Sequence, residues 1–253
     1  MTEKYFDIHE ADLNIRCKLY SAEGRAVSQA VIFGHGFGGH KDNKAAERFA
    51  KRMLDRYPGT AIVTFNWPCH GDDVRKTLRL SDCDAYLDAV LHDTKARFGA
   101  ERIFGYATSF GGYLFLRYIG LHGNPFLKLA LRCPAVDMYR VLTQSIISED
   151  ELASLEKGKS AMIGFDRKIK IDRTYLDEVR KDPAFRYDYS AYADDILILH
   201  GTADEIVPFE MVQRFADEQG LLMIPSDGAD HRFIDPRKMD EAIKMIIDFF
   251  EEI

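Results

Sequence analysis

Short apolar runs alternate along the chain with longer segments of helical periodicity. The apolar runs lie at 30–33, 60–67, 103–106, 127–134, 194–201 and 221–228, and residues 4–20 alternate enough for two opening strands. Helical patterns cover 43–57, 81–98, 209–219 and 236–252. Strands that alternate with helices in this way favour a mostly parallel sheet covered on both faces. The pattern therefore predicts an α/β fold with an eight-stranded sheet, and Ser81 as the N-cap of the second helix.

One segment, residues 136–190, interrupts this alternation. It is polar, charged and mainly helical, with KIKID (168–172) as a candidate short strand, and no Pro/Gly-rich linker borders it. We therefore expect a single domain over 1–253 with a small cap inserted at 136–190. Substrates bind beyond the carboxyl edge of open α/β sheets, and the cap is expected there. The alternative is a solvated excursion that never approaches the site.

The composition restricts the classes of function. The 253 residues carry a formal net charge of −7, which argues against nucleic acid as a main partner. The apolar runs are too short to span a membrane and the first residues lack a signal-peptide core, so we expect a cytoplasmic protein. The scattered cysteines at 17, 69, 83 and 133 favour free thiols over disulfides or a metal site. A homodimer stays open.

The run ATSFGG, residues 107–112, comes directly after an apolar stretch. A serine with a small residue two positions away on each side suits a strained strand-to-helix turn, which exposes the serine hydroxyl. Ala107 stands where the usual motif G-x-S-x-G has glycine, and Gly111 fills the other position. Ser109 is therefore the candidate nucleophile.

A nucleophilic serine needs a base and a carboxylate, and after such a turn they follow in the order acid, then histidine. Asp204 and His231 each come directly after a predicted strand, in that order. We expect three loops at one sheet edge to bring Ser109, Asp204 and His231 together. Glu205 is the nearest rival of Asp204 for the acid position, whereas capping of a helix and a surface loop are the alternative roles of Asp204 and His231.

An oxyanion hole needs two backbone N–H donors. The residue after the nucleophile, Phe110, should supply one of them. Phe37, in the glycine-rich loop 34–39, should supply the other. His35 and His200 each end a predicted strand before a glycine, which favours structural roles for both.

The loop 34–39 also satisfies the dinucleotide fingerprint G-x-G-x-x-G. That interpretation needs an acidic residue at the end of the next strand, and the next strand ends instead in Asn66-Trp67. The loop also lacks the Gly-Lys-Ser/Thr of a phosphate-binding P-loop. A nucleotide-binding oxidoreductase is therefore the disfavoured alternative.

In these motifs the chain resembles the α/β-hydrolase family, and within it the bacterial cinnamoyl (feruloyl) esterase-like serine hydrolases. The likeness covers about 30–134 and 194–253, and it rests on HGFGGHKD (35–42), FNWPCHGDD (65–73), ATSFGG, HGTADEIVP and GADHRFIDP. It implies the α/β-hydrolase fold. Tyr175 is similar to a cap tyrosine of that group and would contact substrate, with packing as the alternative. The chain departs from the group at Ala107-Thr108, at Pro68-Cys69 and through most of 136–190.

Together these features predict a serine hydrolase that cleaves carboxylic esters through an acyl-enzyme, without metal or cofactor. Its partner would be a small-molecule ester with a small acyl or hydroxycinnamoyl-type group. Thioesterase, amidase, peptidase and acyltransferase activities use the same machinery and stay open. From a different class, a non-catalytic binding protein with the hydrolase fold is the remaining alternative.

Overall fold

The structure, a computed structural model, describes residues 1–251 of the chain. Its strands are β1 (Thr2–Glu10), β2 (Leu13–Ser21), β3 (Gln29–Gly34), β4 (Thr60–Phe65), β5 (Arg102–Thr108), β6 (Lys128–Arg132), β7 (Ala161–Ile163), β8 (Ile169–Ile171), β9 (Ile196–Gly201) and β10 (Leu222–Ser226). Its α-helices are α1 (Lys44–Arg56), α2 (Leu80–Phe98), α3 (Phe110–His122), α4 (Met138–Val141), α5 (Glu149–Glu156), α6 (Arg173–Lys181), α7 (Phe209–Gln219) and α8 (Pro236–Glu251).

Eight of the strands form one sheet in the order β1-β2-β4-β3-β5-β6-β9-β10. The pairs β1–β2 and β2–β4 are antiparallel, and the neighbours from β4 to β10 are parallel. The carboxyl ends of β3, β5, β9 and β10 therefore share one edge of the sheet. The expected α/β-hydrolase architecture, with an eight-stranded and mostly parallel sheet, is confirmed.

Helices cover both faces of this sheet because consecutive strand residues point to opposite sides. On β3, Ala30 and Ile32 belong to the apolar core that includes the buried residues of α2 and α3. Val31 and Phe33 belong to the second core, with the buried residues of α1 and α8. A continuous apolar run such as AVIF is what a strand buried on both faces requires.

The start of α2 differs from the sequence expectation. The helix begins at Leu80, one residue before the predicted N-cap Ser81, and Arg79 in the N-cap position makes no side-chain cap bond. The Leu80 amide donates instead to Glu178 Oε2 of α6, at 3.1 Å. A carboxylate from another element therefore does the capping, and burial of the Leu80 side chain fixes where the helix starts.

The segment between β6 and β9 contains α4, a π-turn, α5, the antiparallel hairpin β7–β8, and α6. Ion pairs tie it to the body of the domain. Arg79, before α2, lies 2.7 Å from the Asp172 carboxylate that caps α6. Arg117 of α3 lies 2.6 Å from Asp182, just after α6. The short strand expected within KIKID is β8.

Two further observations bear on the sequence expectations. Within residues 1–251, no helix combines the length and the apolar character that crossing a membrane requires. All the cysteines are free thiols, of which Cys17, Cys83 and Cys133 are buried.

Candidate active site

Ser109 forms the turn between β5 and α3. Its backbone has φ 50° and ψ −116°, a conformation that residues other than glycine rarely adopt. The Ser109 amide donates to the Arg132 carbonyl at 3.0 Å, and its carbonyl accepts from the amide of Ala135 at 3.1 Å. Backbone bonds from the neighbouring strand therefore hold the strained turn.

The small residues on either side of Ser109 have a steric reason. A Cβ added at Gly111 would lie 2.4 Å from the Gly34 carbonyl oxygen, so a side chain there is excluded. Ala107 pairs with Gly34 across β5 and β3. Its methyl group lies 3.3 Å from where a Cβ of Gly34 would be. The absence of a side chain at Gly34 makes room for alanine where the usual motif has glycine.

The structure brings the three predicted triad residues together. Ser109 Oγ lies 3.0 Å from His231 Nε2, and His231 Nδ1 lies 2.7 Å from Asp204 Oδ2. Because a carboxylate only accepts, Nδ1 carries the ring proton and Nε2 is free to accept the serine hydroxyl. The three loops that follow β5, β9 and β10 supply these side chains.

The Asp204 side chain is fully buried. Its Oδ1 accepts the amides of Ile206 at 2.9 Å and Val207 at 2.7 Å. Burial alone would raise the pKa of this carboxyl, but hydrogen bonds from His200 and His231 outweigh it and hold the pKa well below its usual range. Asp204 is therefore ionised at neutral pH behind the imidazole.

The rival acid, Glu205, lies elsewhere in the site. Its Oε2 accepts the backbone amide of His231 at 3.3 Å rather than the imidazole. Glu205 is exposed, whereas the Asp204 side chain is not. The geometry thus assigns the bond to the imidazole to Asp204.

The side chains of the two residues predicted to form the oxyanion hole, Phe37 and Phe110, are in contact. Phe110 is the first residue of α3, where amides have no intrahelical acceptor. The Phe37 ring packs edge to face on Phe110, with centroids 5.6 Å apart. His70 contacts both rings, 5.7 Å from Phe110 in a stacked arrangement and 5.5 Å from Phe37. Burial lowers the pKa of His70 to about 4, so this ring is neutral and acts as an aromatic support.

The loop after β3 is hydrogen-bonded to the end of β4 and to the loop that follows β4. Asn66 Oδ1 accepts the Lys41 amide at 2.7 Å, and Thr64 Oγ1 donates to the Lys41 carbonyl at 2.8 Å. The buried ring of His35 takes part as well, since its Nε2 accepts the Trp67 amide at 3.3 Å. Asn66, whose neutral side chain argued against ribose binding, thus fixes the candidate oxyanion loop.

The tip of the β7–β8 hairpin reaches the loops around Ser109. A Cβ added at Gly38 would lie 2.8 Å from the Arg167 carbonyl oxygen, so the tip lies directly against the candidate oxyanion loop. On the other side, Arg232 Nη1 lies 3.2 Å from Asp166 Oδ2. The hairpin tip of the segment 136–190 therefore contacts two loops around Ser109, the loop after β3 at Gly38 and the loop after β10 at Arg232.

Tyr175 lies in the first turn of α6 and is completely covered, at 0% exposure. Its hydroxyl is one of the buried polar groups without a hydrogen-bond partner among the described residues. Its neighbours include Cys83 of α2 and Tyr113 of α3, which add to the burial that raises the pKa of the phenol. This environment favours the packing alternative over contact with substrate.

Sequence reasoning missed how much surrounds the triad. The sequence predicts only a structural role for His200, yet its ring lies 3.2 Å from the carboxylate of Asp204, four residues later. Phe165, Asp166 and Arg167 lie in a segment without a recognisable motif. The one signal in the sequence for the contact between His200 and Asp204 is their spacing of four residues at the end of β9.

Comparison with known proteins places the fold in a family. The model of the alpha/beta hydrolase family matches residues 31–242, most of the chain. The chain belongs to the alpha/beta hydrolase family. A search of curated proteins found no match. The family match overturns the oxidoreductase alternative and agrees with the resemblance seen in the motifs.

Solved structures of alpha/beta hydrolases superimpose over nearly the whole chain. A putative hydrolase from Agrobacterium vitis has a TM-score of 0.75 at 18% identity, covering 98% of both chains. Est1E from Butyrivibrio proteoclasticus, solved with ferulic acid bound, has a TM-score of 0.76 at 16% identity, covering 98% of this chain and 100% of its own. A monoacylglycerol lipase from Paleococcus ferrophilus has a TM-score of 0.68 at 19% identity, covering 94% of this chain and 98% of its own. At these identities the likeness establishes the fold.

Proposed function

We propose that this alpha/beta hydrolase is a serine hydrolase that cleaves carboxylic esters through an acyl-enzyme intermediate. The observation that carries the proposal is the continuous hydrogen-bonded chain from Asp204 through His231 to Ser109 at a strained turn. Nucleophile, base and carboxylate in this order are the groups that acyl transfer by serine requires. An intact chain of this kind also argues against a non-catalytic binding protein.

In the first half-reaction His231 Nε2 takes the proton of Ser109 Oγ as the oxygen attacks the acyl carbon. Collapse of the tetrahedral intermediate breaks the bond to the alcohol, which receives the proton from Nε2. In the second half-reaction Nε2 activates water, which releases the acid from Ser109. Asp204 stays ionised throughout and stabilises the imidazolium. These steps use the chain's own residues, so the proposal involves no metal or cofactor.

The negative oxygen of the tetrahedral intermediate would lie between the amides of Phe37 and Phe110. The Phe110 amide opens α3, so the helix dipole adds to the stabilisation. The contacts of Lys41 with Asn66 and of Trp67 with His35, which hold the ends of the loop after β3, support a fixed position for the Phe37 amide. Removing one such donor typically lowers kcat by about 100-fold or more.

The substrate would be a small-molecule ester with a small acyl or hydroxycinnamoyl-type group. The fold shared with Est1E, which was solved with ferulic acid, supports the aromatic acyl group. The segment 136–190 would act as the cap that selects it, because the hairpin tip reaches Gly38 and Arg232 on both sides of Ser109.

The direct test is covalent labelling followed by turnover. A fluorophosphonate should label the wild-type protein and leave Ser109→Ala unlabelled, since only an activated serine reacts. A panel of p-nitrophenyl esters with methyl ferulate and an aminoacyl amide then ranks the acyl and leaving groups. Failure of the folded wild-type protein to react with the fluorophosphonate would contradict the proposal, and faster cleavage of the amide than of every ester would contradict its ester preference.

A further inference from the structure

A second histidine lies behind the candidate acid. His200 is the penultimate residue of β9 and is completely buried. Its Nε2 lies 3.2 Å from Asp204 Oδ2, the oxygen that also accepts from His231. The same Nε2 lies 2.9 Å from the Val207 carbonyl oxygen. The single N–H of His200 Nε2 is thus shared between the Val207 carbonyl, its nearer acceptor, and Asp204 Oδ2, which also accepts from His231.

The partners of His200 fix where its proton lies. A carbonyl and a carboxylate are both acceptors, so Nε2 must be the protonated nitrogen. Nδ1 has no hydrogen-bond partner within residues 1–251 and is buried, so a second proton there would have no acceptor. The geometry therefore places the donor proton of His200 on Nε2.

We propose that His200 is a positioning residue of this site, whose Nε2–H fixes Asp204 Oδ2 and shares the negative charge that this oxygen presents to His231. Asp204 Oδ1 is held by the amides of Ile206 and Val207, and His200 completes the set on the other oxygen. A donor on the shared oxygen weakens the attraction between the carboxylate and a protonated His231. This role presupposes the hydrolase function proposed above.

The other ionisable groups around the pair come from three elements. Cys133, after β6, lies beside Asp204, and burial together with that carboxylate raises the pKa of its thiol well above the ordinary value. Glu205 accepts the His231 amide. Arg132 of β6 donates to the carbonyl of Arg232, in the loop after β10 that carries His231. Of these groups only the protonated Cys133 thiol is also a hydrogen-bond donor beside Asp204, whereas His200 is the second imidazole that approaches Oδ2.

Coordination of a metal would be a different explanation of the cluster. Ligand atoms of Cys133, His200 and Asp204 lie within 4.8 Å of one another. A nitrogen that donates its proton to the Val207 carbonyl has no lone pair for a metal, and the Cys133 thiol is protonated. The hydrogen-bonded arrangement therefore fits donation to Asp204 better than metal binding.

The test compares His200→Phe, which keeps the ring volume without the donor, with His200→Gln, which returns an N–H. The readout is the pH dependence of the rate of fluorophosphonate labelling of Ser109, with the exposed His92→Phe as a control. In His200→Phe we expect the midpoint of the acid limb to rise by roughly 0.5 to 1 pH unit and the plateau rate to fall about 10-fold. His200→Gln should return both to near wild-type values.

An unchanged midpoint in folded His200→Phe, or the same shift in His200→Gln, overturns the proposal because packing alone would then explain the residue. If His200→Phe does not fold, the proposal is tested instead by the tautomer of His200 in the wild-type protein. In the wild-type protein labelled with ¹⁵N-histidine, His200 should carry its proton on Nε2, and a proton on Nδ1 overturns the role. Absence of labelling in the wild-type protein contradicts the hydrolase function instead, and the tautomer measurement still tests His200 separately.

Discussion

Arg232, the residue after the candidate base, places its guanidinium 3.2 Å from the Asp166 carboxylate at the tip of the β7–β8 hairpin. The same guanidinium lies 5.7 Å from the centre of the Phe165 ring. Both contacts are exposed, and each such contact contributes at most about 1 kcal/mol. These two contacts therefore contribute little to holding the hairpin tip, which is compatible with the proposed role of the segment 136–190 as a cap.

If the hairpin selects the acyl group, Phe165→Ala should change selectivity more than chemistry. We expect the ratio of kcat/KM for methyl ferulate to that for p-nitrophenyl acetate to fall about 3- to 10-fold, as for the loss of one apolar contact. The control is Met162→Ala on the same hairpin, which removes a similarly exposed apolar side chain. Equal ratios in wild type and Phe165→Ala would remove the hairpin from acyl selection.

The triad assignment predicts losses of very different size at adjacent carboxylates. Ser109→Ala and His231→Ala should each lower kcat by about 10⁴-fold or more, and Asp204→Asn somewhat less, because the members act as a unit. Glu205→Gln, the matched neutralisation next in the chain, should cost less than about 10-fold since Glu205 accepts only a backbone amide. Steady-state kinetics on p-nitrophenyl acetate measure all four. A larger loss in Glu205→Gln than in Asp204→Asn would reverse the assignment of the acid.

The sequence predicts the strands and the triad because each depends on local information. A strand buried on both faces must be apolar throughout, and Ser109, Asp204 and His231 each lie in a loop after such a strand. What it cannot predict are contacts made by distant residues. Glu178, which caps α2 in place of Ser81, lies 98 positions from Leu80.

The same limit applies to the loops around the site. In the sequence, Asn66 shows only that the acidic residue needed to bind ribose is missing. Its hydrogen bond with the Lys41 amide depends on the fold. The hairpin tip has no motif, and its approach to Gly38 depends on how the whole segment packs. The pairing of His200 with Asp204 depends on which way two side chains turn at the end of β9.

The buried His70 predicts acid sensitivity of folding. Its pKa is lowered by burial from 6.5 to about 4, so the unfolded chain takes up the proton first as the pH falls. The stability that comes from keeping His70 neutral is complete above pH 6.5 and is lost as the pH falls to 4, a change of about 3 kcal/mol. Urea unfolding at several pH values should show this slope, and His70→Gln should reduce it, while the buried His35, whose pKa burial also lowers, contributes the slope that remains. The exposed His92→Gln serves as the control, and an equal slope in both variants would argue against His70.

Tyr175 tests how far the family likeness extends into the inserted segment. Its hydroxyl is covered and unpartnered, and a buried polar group of this kind adds no stability to the folded state. We therefore expect Tyr175→Phe to leave the free energy of unfolding unchanged or slightly higher, and kcat/KM for methyl ferulate and p-nitrophenyl acetate within about 2-fold of wild type. Tyr113→Phe is the matched control, because it removes a hydroxyl that donates to the Asp182 carbonyl at 2.8 Å and should cost about 1 kcal/mol. A loss of kcat/KM in Tyr175→Phe confined to methyl ferulate would show that the segment moves in solution and brings this hydroxyl to the substrate.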